Sequence, residues 1–249
     1  MAIAIRSSKE IAKMRRSGKA LRGVLDVLRD SIAPGMSTMD LEKIAEAKIA
    51  EAGAVPAFKG YHDYPCVLCT SVNEEVVHGI PSAKRTLQDG DVVSIDCGLI
   101  IDGYFADSAT TLPVGKISAP AQRLLETTEK SLDAAIAAVR PGATLGDVGA
   151  AVQEVVEAAG FSVVRDFVGH GIGTEMHEEP QIPNFGRRAQ GLKLRQGMVL
   201  AIEPMVNAGG HAVRVLGDGW TAVTVDGSLS AHFEHTIAVG ADGAEVLTA

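Results

Sequence analysis

The sequence predicts an α+β fold in which two copies of one helix-and-strand unit pack about a pseudo-two-fold axis around an antiparallel sheet. Two observations predict it: a repeat with one constant offset along the 249 residues, and two β-branched runs joined by a tight turn. Unrelated matches would not share an offset, so the repeat indicates a duplicated unit. We expect a single catalytic domain over residues 1–249, with halves at roughly 8–112 and 119–240.

The repeat has an offset of 107 residues. Pro34-Gly35 recurs as Pro141-Gly142, and Leu87-x-x-Gly90-x-Val92-x-x-Ile95-Asp96 recurs as Leu194-x-x-Gly197-x-Val199-x-x-Ile202-Glu203. Both pairs keep the same spacing although they lie far apart in the chain. Each half is therefore predicted to run from a long helix to a second helix and then to strands.

Helix patterns begin each half. Residues 8–29 place apolar side chains on one helical face and basic side chains on the other. A capping pair, an apolar helical period and a terminal glycine then follow. In the first half the capping pair is Ser37-x-x-Asp40, the apolar period covers 39–51 and the glycine is Gly53. In the second half these are Thr144-x-x-Asp147, 146–158 and Gly160.

A hairpin is predicted in the first half. The β-branched runs Val92 to Ile101 and Tyr104 to Leu112 flank Asp102-Gly103. Asp-Gly between such runs is the strongest short-range signal for a two-residue hairpin turn. The numbers of opposed residues should therefore sum to 205, and the sheet should be antiparallel.

Composition excludes several classes of function. The net charge of −8 argues against DNA binding or an anionic-membrane surface, since both need clustered Lys and Arg. No apolar run is long enough to span a bilayer, and the N-terminal segment does not resemble a signal peptide, so we expect a cytoplasmic protein. Residues 1–30 carry eight basic and three acidic side chains. A solvated helix face is the favoured interpretation, and contact with an RNA-containing partner is the alternative.

Three cysteines, Cys66, Cys69 and Cys97, are expected to be reduced, because their number is odd and no export signal precedes them. Cys66 and Cys69 have the spacing of a redox or zinc motif. No second pair follows, so two buried, apolar side chains are the favoured interpretation.

Carboxylates recur where the apolar runs end. In the predicted hairpin Asp107 faces Gly98, and Asp96 lies two residues away on the same side, roughly 7–8 Å from Asp107 at Cα. Glu203 is the repeat mate of Asp96 and also ends an apolar run. Acids gathered in a core need cations to neutralise them, so a metal site is predicted.

Further ligands come from the second half. Phe233-Glu234-His235-Thr236 echoes Phe105-Ala106-Asp107-Ser108, and His170 lies in a glycine-rich stretch where the backbone can approach closely. One imidazole with four carboxylates suits two bridged ions of Mn, Fe(II), Co or Zn. His78 and His177 are loop histidines, which are more often structural. Beside such a centre they would stabilise an oxyanion and orient a leaving amide.

These residues together resemble the pita-bread (creatinase/aminopeptidase) metallopeptidases, and within them the type I methionine aminopeptidases. The resemblance covers about residues 5 to 240 and rests on eight segments. They are Tyr61-His62-Asp63-Tyr64-Pro65, Ser71-Val72-Asn73-Glu74, His78-Gly79-Ile80-Pro81, Asp96 with Asp107, His170-Gly171-Ile172-Gly173, His177-Glu178-Glu179-Pro180, Glu203-Pro204-Met205 and Glu234-His235-Thr236.

The resemblance implies a role for each site residue. It implies two divalent ions, bridged by Asp107 and Glu234, and a bridging water or hydroxide that attacks the carbonyl of an N-terminal methionine while Glu203 carries the proton. His177 would stabilise the tetrahedral intermediate, and His78 would contact the scissile or following amide. The full set of implied metal ligands is Asp96, Asp107, His170, Glu203 and Glu234.

The resemblance also implies two binding sites beside the metals. Tyr61, Tyr64, Cys69 and Trp220 would line the pocket for the methionine side chain, with His78 and His177 at the substrate. Backbone carbonyls near Asn73, Glu75 and Ser230 would hold one monovalent cation.

Three residues depart from the family pattern. Met176 stands where many relatives carry Phe, Phe58 where some carry Cys, and Gly98 where Thr is common. They affect the expected pocket shape and metal affinity, but not the expected reaction.

We therefore expect a monomeric aminopeptidase that removes initiator methionine from nascent chains with a small second residue, in transient contact with the ribosome. One alternative is a proline-directed aminopeptidase or prolidase, which normally adds an N-terminal domain. The other is a non-catalytic binding protein on the same fold, but such proteins usually lose ligands.

Overall fold

The computed structural model of the chain describes residues 3–249, which contain four α-helices, fifteen strands and a 3₁₀ turn at Tyr61–Asp63. In chain order the elements are α1 Ser8–Ser31, α2 Thr38–Glu51, β1 Val55–Pro56, β2 Leu68–Val72, β3 Glu75–Val77, β4 Val92–Ile101, β5 Tyr104–Pro113, α3 Ala119–Ala138, α4 Leu145–Ala158, β6 Ser162–Val163, β7 Gly169–Gly171, β8 Glu178–Ile182, β9 Val199–Ile202, β10 Met205–Asn207, β11 Val213–Val215, β12 Ala222–Thr224, β13 Ser230–His232, β14 His235–Val239 and β15 Ala244–Val246.

The strands form four antiparallel sheets within the described residues. In the first half β1, β4 and β2 lie side by side, and β5 pairs with β4. In the second half the order is β15-β14-β9-β7-β8. Two three-stranded sheets, β13-β10-β6 and β11-β12-β3, complete the fold, and the second joins strands from both halves. The α+β class and the antiparallel pairing are confirmed.

The hairpin has the predicted register. Ile101 pairs with Tyr104 and Gly98 with Asp107, so opposed residues sum to 205. Asp102 and Gly103 have φ angles of 51° and 78°. Positive φ at both turn residues is the geometry that Asp-Gly favours in a two-residue turn, because its twist matches that of the strands.

The helices begin where the capping pairs predict. Ser37 with Asp40, and Thr144 with Asp147, each form a capping box in which the two side chains exchange hydrogen bonds with the first turn. Gly53 and Gly160 follow the helix ends with φ of 66° and 78°, which glycine adopts without steric cost. No helix in residues 3–249 is both long and apolar enough to cross a membrane.

The 107-residue offset is also visible in backbone hydrogen bonds. The Gly35 amide donates to the Leu87 carbonyl at 2.8 Å, and the Gly142 amide donates to the Leu194 carbonyl at 2.9 Å. The isolated bridge between Ser37 and Thr86 likewise has its mate between Thr144 and Lys193. The division into one domain with two halves stays a prediction.

Each helix pair covers a sheet. Leu21, Leu28 and Leu41 of α1 and α2 pack with buried residues of β2, β4 and β5. Helices α3 and α4 bury their apolar faces with residues of β9, β13 and β14 in a second, larger cluster. Asp96 on β4, Asp107 on β5 and His170 on β7 are polar residues of these sheets. Cys66, Cys69 and Cys97 are free and buried, as expected.

Removing one cap from each half tests whether equivalent positions carry equivalent stability. Ser37→Ala and Thr144→Ala should each lower the free energy of unfolding by about 1 kcal/mol, because the side chain no longer accepts from the first turn. Urea unfolding followed by circular dichroism measures this. The control is Ser8→Ala, an exposed serine at the start of α1. A loss confined to one of the two caps would contradict the prediction.

Candidate metal centre and substrate pocket

Strands from both parts of the chain bring the acids together. Asp96 and Asp107 lie on β4 and β5, two residues apart in register, since Asp107 opposes Gly98. Glu203 directly follows β9, Glu234 directly precedes β14, and β9 pairs with β14 and with β7, which carries His170.

Side-chain hydrogen bonds join the two halves beside the acids. Thr236 Oγ1 donates to the Asp107 carbonyl at 2.8 Å and accepts from the Asp107 amide at 3.1 Å. Ser108 Oγ donates to the Glu234 carbonyl at 2.7 Å. These bonds hold the backbones of Asp107 and Glu234 against each other, so the positions of both carboxylates are fixed by the fold.

Three side chains form a compact group of metal-ligand type. Ligand atoms of Asp107, His170 and Glu234 all lie within 4.8 Å of one another, and all three residues are buried. His170 Nε2 is 3.8 Å from Asp107 Oδ2 and 3.7 Å from Glu203 Oε1. Asp96 borders the same cavity.

Unpaired buried oxygens indicate that cations belong here. Asp96 Oδ1, Asp107 Oδ1 and Glu234 Oε1 are all shielded from solvent, and none has a hydrogen-bond partner within residues 3–249. A buried carboxylate oxygen without a partner costs considerable free energy unless a cation binds it. Four acids with one imidazole form an oxygen-rich set that suits divalent transition metals, so the residues present fit such ions.

Burial is the main cause of the raised pKa values of the four acids. It raises the pKa of Asp96 to about 7 and that of Glu203 to about 8. It also raises the pKa of Asp107 and of Glu234 well above the usual range, and the neighbouring carboxylates add to both shifts. In the metal-free protein these acids therefore hold protons near neutral pH.

Burial has the opposite effect on the histidines. It lowers the pKa of His78 to about 4 and that of His170 to about 3. The pKa of His177 is lowered by partial burial and by the nearby His62, and the pKa of His232 is lowered by burial. At neutral pH the imidazoles are uncharged, as a metal ligand must be, and a neutral ring still has one N–H that can donate to a developing oxyanion.

A cavity of about 330 Å³ opens over the acids. Its apolar wall is a cluster that includes Phe58, Tyr64, Cys69 and Met176, with Trp220 packed against it. The Tyr64 and Trp220 rings meet edge to face with centroids 5.0 Å apart. Tyr64 Oη donates to the carbonyls of Leu68 and Gly79, so this wall is held rigidly.

Histidines lie on the polar side of the cavity. The Tyr61 hydroxyl is 2.7 Å from His177 Nδ1, which fixes the ring. His78 adopts a left-handed backbone with φ of 62°. The next residue must be glycine, because a Cβ at Gly79 would lie 2.2 Å from the Thr70 carbonyl oxygen of β2. This close approach places His78 at the cavity.

Comparison with known proteins agrees with this geometry. The family described as metallopeptidase family M24 matches residues 12–241. The chain belongs to metallopeptidase family M24. A methionine aminopeptidase of Clostridium perfringens is 50% identical over 246 residues, which cover 99% of this chain and 98% of that protein. The methionine aminopeptidase of Escherichia coli K12 is 46% identical over 249 residues, covering 100% and 94%.

Two solved structures share the fold. The methionine aminopeptidase of Thermotoga maritima superposes with a TM-score of 0.98 at 48% identity, covering 99% of both chains. The prolidase of Pyrococcus horikoshii OT3 gives a TM-score of 0.80 at 23% identity and covers 98% of this chain but 63% of that one. The second likeness concerns the fold alone. The expected pita-bread fold and the resemblance to methionine aminopeptidases are confirmed.

The structure gathers most of the predicted site residues around one cavity. The eleven that line it are Asp96, Asp107, His170, Glu203, Glu234, His78, His177, Tyr61, Tyr64, Cys69 and Trp220. Asn73, Glu75 and Ser230 lie outside this lining. The Ser230 amide donates to the Asn73 carbonyl at 2.8 Å, and Glu75 Oε2 accepts from the Val72 amide. The roles assigned to all these residues stay predictions.

Sequence reasoning missed several lining residues: His62, Val77, Phe167 and Val168. Phe167 meets the His78 ring edge to face at 5.4 Å between centroids. It lies in a connection without helical or strand periodicity, so no local pattern could predict its position. His62 lies within the Tyr61 to Pro65 segment and could have been assigned from its neighbours.

Phe58 and Gly98, two of the residues expected to depart from the family pattern, pack directly against each other. A Cβ at Gly98 would lie 2.7 Å from Phe58 Cε1 and 3.0 Å from Ala57 Cβ. The Phe58 ring therefore occupies the space over Gly98 that a larger side chain would need. Phe58 and Gly98 must be considered together when the pocket is compared with that of relatives.

This packing predicts an energetic coupling between the two positions. Gly98→Ala should cost about 1–3 kcal/mol of unfolding free energy, the usual cost of overpacking. The cost should shrink in a Phe58→Cys background, where the ring is gone. The matched control is Gly23→Ala, since Gly23 is helical and a Cβ there meets nothing within 4 Å. Urea unfolding of all five proteins tests this, and equal costs of Gly98→Ala in both backgrounds would refute it.

The pKa shifts predict how metal-free stability depends on pH. Above about pH 6.5 more than half of the histidines in the unfolded chain are already neutral, and His78 and His170 in the folded protein are neutral throughout this range. The acids keep protons in the folded protein until about pH 7 for Asp96 and about pH 8 for Glu203, whereas the unfolded chain has already lost them. The unfolding temperature of chelator-treated protein should therefore fall between about pH 6.5 and 8.

Saturating Mn²⁺ should raise the unfolding temperature most at the upper end of this range, because fewer protons then compete with the cations for the carboxylates. Differential scanning calorimetry measures both trends. Glu203→Gln is the control, and its metal-free slope should be shallower because one titrating acid is gone. A metal-free unfolding temperature that rises over this range would contradict the argument.

Proposed function

We propose that this protein is a metal-dependent aminopeptidase that removes an N-terminal methionine from chains with a small second residue. The observation that carries the proposal is an apolar cavity whose floor holds five side chains of metal-ligand type. Relatives of nearly equal length at 46% and 50% identity are named methionine aminopeptidases, which supports the same substrate class.

The apolar wall suits a methionine side chain. Phe58, Tyr64, Met176 and Trp220 offer aromatic and thioether surface, and thioethers contact aromatic rings favourably. The wall is preformed, since the Tyr64 hydroxyl is hydrogen-bonded to the carbonyls of Leu68 and Gly79. The cavity volume of about 330 Å³ lies within the range of small-ligand sites.

We propose that Asp96, Asp107, His170, Glu203 and Glu234 would hold two divalent ions. Ions bound there would supply a water of lowered pKa and polarise the scissile carbonyl. The three orphaned carboxylate oxygens of Asp96, Asp107 and Glu234 support this set. The four acids of this set favour two ions over one, because one divalent ion would neutralise only two of their four negative charges.

Glu203 is the group we assign to proton transfer. Its carboxylate lies at the floor of the cavity and is not part of the compact Asp107, His170 and Glu234 group. With ions bound, their charge would displace the proton that burial holds on Glu203, so its carboxylate could accept a proton from water. Glu203 would then deliver that proton to the leaving nitrogen, so the C–N bond breaks without forming a negatively charged nitrogen.

His177 and His78 are the groups we assign to the reacting amide. When the Tyr61 hydroxyl donates to His177 Nδ1, the ring carries its proton on Nε2. That N–H is then free to donate to the carbonyl oxygen as negative charge develops on it. His78, neutral and held by the Gly79 approach, donates to or accepts from the peptide group beside it.

Three finer assignments accompany this proposal. The substrates are N-termini of nascent polypeptides, met in the cytoplasm in transient contact with the ribosome. The ions are Mn, Fe(II), Co or Zn. A monovalent cation is bound by the backbone near Asn73, Glu75 and Ser230, where the chain segments of Asn73 and Ser230 already meet.

A peptide panel tests the proposed function. Metal-loaded protein should cleave Met-Ala-Ser, leave Met-Lys-Ser nearly untouched and ignore Ala-Pro peptides, with products identified by mass spectrometry. Glu203→Gln should lower kcat/KM by about 10²- to 10⁴-fold, as expected when a proton-transfer group is lost. Metal analysis of the variant shows whether ions are still bound. Preferential cleavage before proline would replace this function by the prolidase alternative.

A further inference from the structure

His232 is a buried histidine at the metal centre that the preceding assignments leave without a role. It ends β13, two residues before Glu234, and its exposed fraction is 2%. Neither Nδ1 nor Nε2 has a hydrogen-bond partner in the part of the chain that the structure describes. A neutral imidazole has one donor and one acceptor, and leaving both buried and unpaired is costly. The ring therefore needs a partner in the functional protein.

The nearest candidate partner is the carboxylate of Glu203. His232 Nε2 is 3.6 Å from Glu203 Oε2, while the other oxygen, Oε1, is 3.7 Å from His170 Nε2. The Glu203 carboxylate thus lies between two imidazoles. A separation of 3.6 Å is beyond a hydrogen bond, but a small rotation of the carboxylate would close it.

The backbone of His232 is fixed, so the adjustment falls to Glu203. Thr111 Oγ1 accepts from the His232 amide at 2.8 Å and donates to the His232 carbonyl at 2.8 Å. Ser94 Oγ shares a further 2.8 Å hydrogen bond with Thr111 Oγ1. Strand pairing opposes His232 to Met205, two residues after Glu203, which joins the two segments.

We propose that His232 is a positioning residue, which donates from Nε2 to Glu203 Oε2 and so holds the other carboxylate oxygen toward the metal ions. The proposal rests on the metal centre of the proposed function. His232 is not assigned as a ligand, because it belongs neither to the compact group of ligand atoms nor to the cavity lining, whereas Asp96 and Glu203 both line the cavity. Hydrogen bonds to ligating groups commonly change metal affinity by 10- to 100-fold.

Three variants distinguish the loss of the hydrogen-bond donor of His232 from the loss of its ring shape. In His232→Gln the amide nitrogen stands as many bonds from Cβ as Nε2 does, so the donor is kept. In His232→Asn the donor is placed at the distance of Nδ1, and in His232→Leu it is removed. Binding of Mn²⁺ to chelator-stripped full-length protein is measured by isothermal titration calorimetry, and Co²⁺ absorption spectra report the ligand set.

We expect His232→Leu and His232→Asn to bind Mn²⁺ about 10-fold or more weakly. His232→Gln should keep most of the affinity, with the Co²⁺ spectrum of the parent protein. Parent-like affinity in His232→Leu would overturn the proposal. So would equal weakening in the Gln and Leu variants, since ring shape would then be the cause. A Co²⁺ spectrum that loses a nitrogen ligand in His232→Gln would instead make His232 a ligand.

Two controls keep the outcomes distinct. Circular dichroism of the metal-free variants checks folding, and if His232→Leu does not fold, the Gln and Asn pair decides alone. Metal binding is measured without peptide. A parent protein that binds Mn²⁺ but cleaves no methionyl peptide would therefore defeat the proposed function and leave the role of His232 standing.

Discussion

Withdrawing four carboxylates from water at one place is the constraint on which the rest of this structure depends. Oxygens of Asp96, Asp107 and Glu234 are buried without a partner, and such groups are stable only as protonated acids or as ligands of cations. The surrounding fold must therefore hold them rigidly, since each would otherwise turn toward solvent. Two sheets from two halves supply that rigidity.

The sheets hold the acids by their backbones rather than by their side chains. Thr236 binds both backbone polar groups of Asp107, and Ser108 binds the carbonyl of Glu234. Hydroxyl groups thus satisfy the peptide groups between the sheets and leave the carboxylate oxygens free. An arrangement in which Ser and Thr bound the carboxylates themselves would have satisfied the acids and weakened their use as ligands.

The parts of the site that obey local rules could be predicted from the sequence. Asp102-Gly103 determines the turn type, the turn determines the register, and the register places Asp96 and Asp107 on one face. The repeat then points to Glu203. It does not point to Glu234 by register, because that residue lies 127 positions after Asp107 rather than 107. Glu234 was indicated instead by the likeness of the segment Phe233 to Thr236 to the segment Phe105 to Ser108.

Residues defined by tertiary contacts could not be predicted in this way. Phe167 reaches the cavity from an irregular connection, and Phe58 covers Gly98 because two segments far apart in sequence approach within van der Waals contact. His232 looks from sequence like any strand histidine. Its importance arises from Glu203, which adjoins a different strand, and from the absence of any other partner for its ring.

Burial also explains how such a centre can fold before it binds metal. The same loss of water raises the pKa of Glu203 and lowers that of His170, so both side chains are largely uncharged at neutral pH in the metal-free protein. A core holding neutral acids and neutral imidazoles has little electrostatic repulsion to overcome. The binding of cations then displaces the acid protons, and the charge appears only where it is compensated. The apolar wall around Tyr64 can therefore form independently of the ions, which is what a preformed substrate pocket requires.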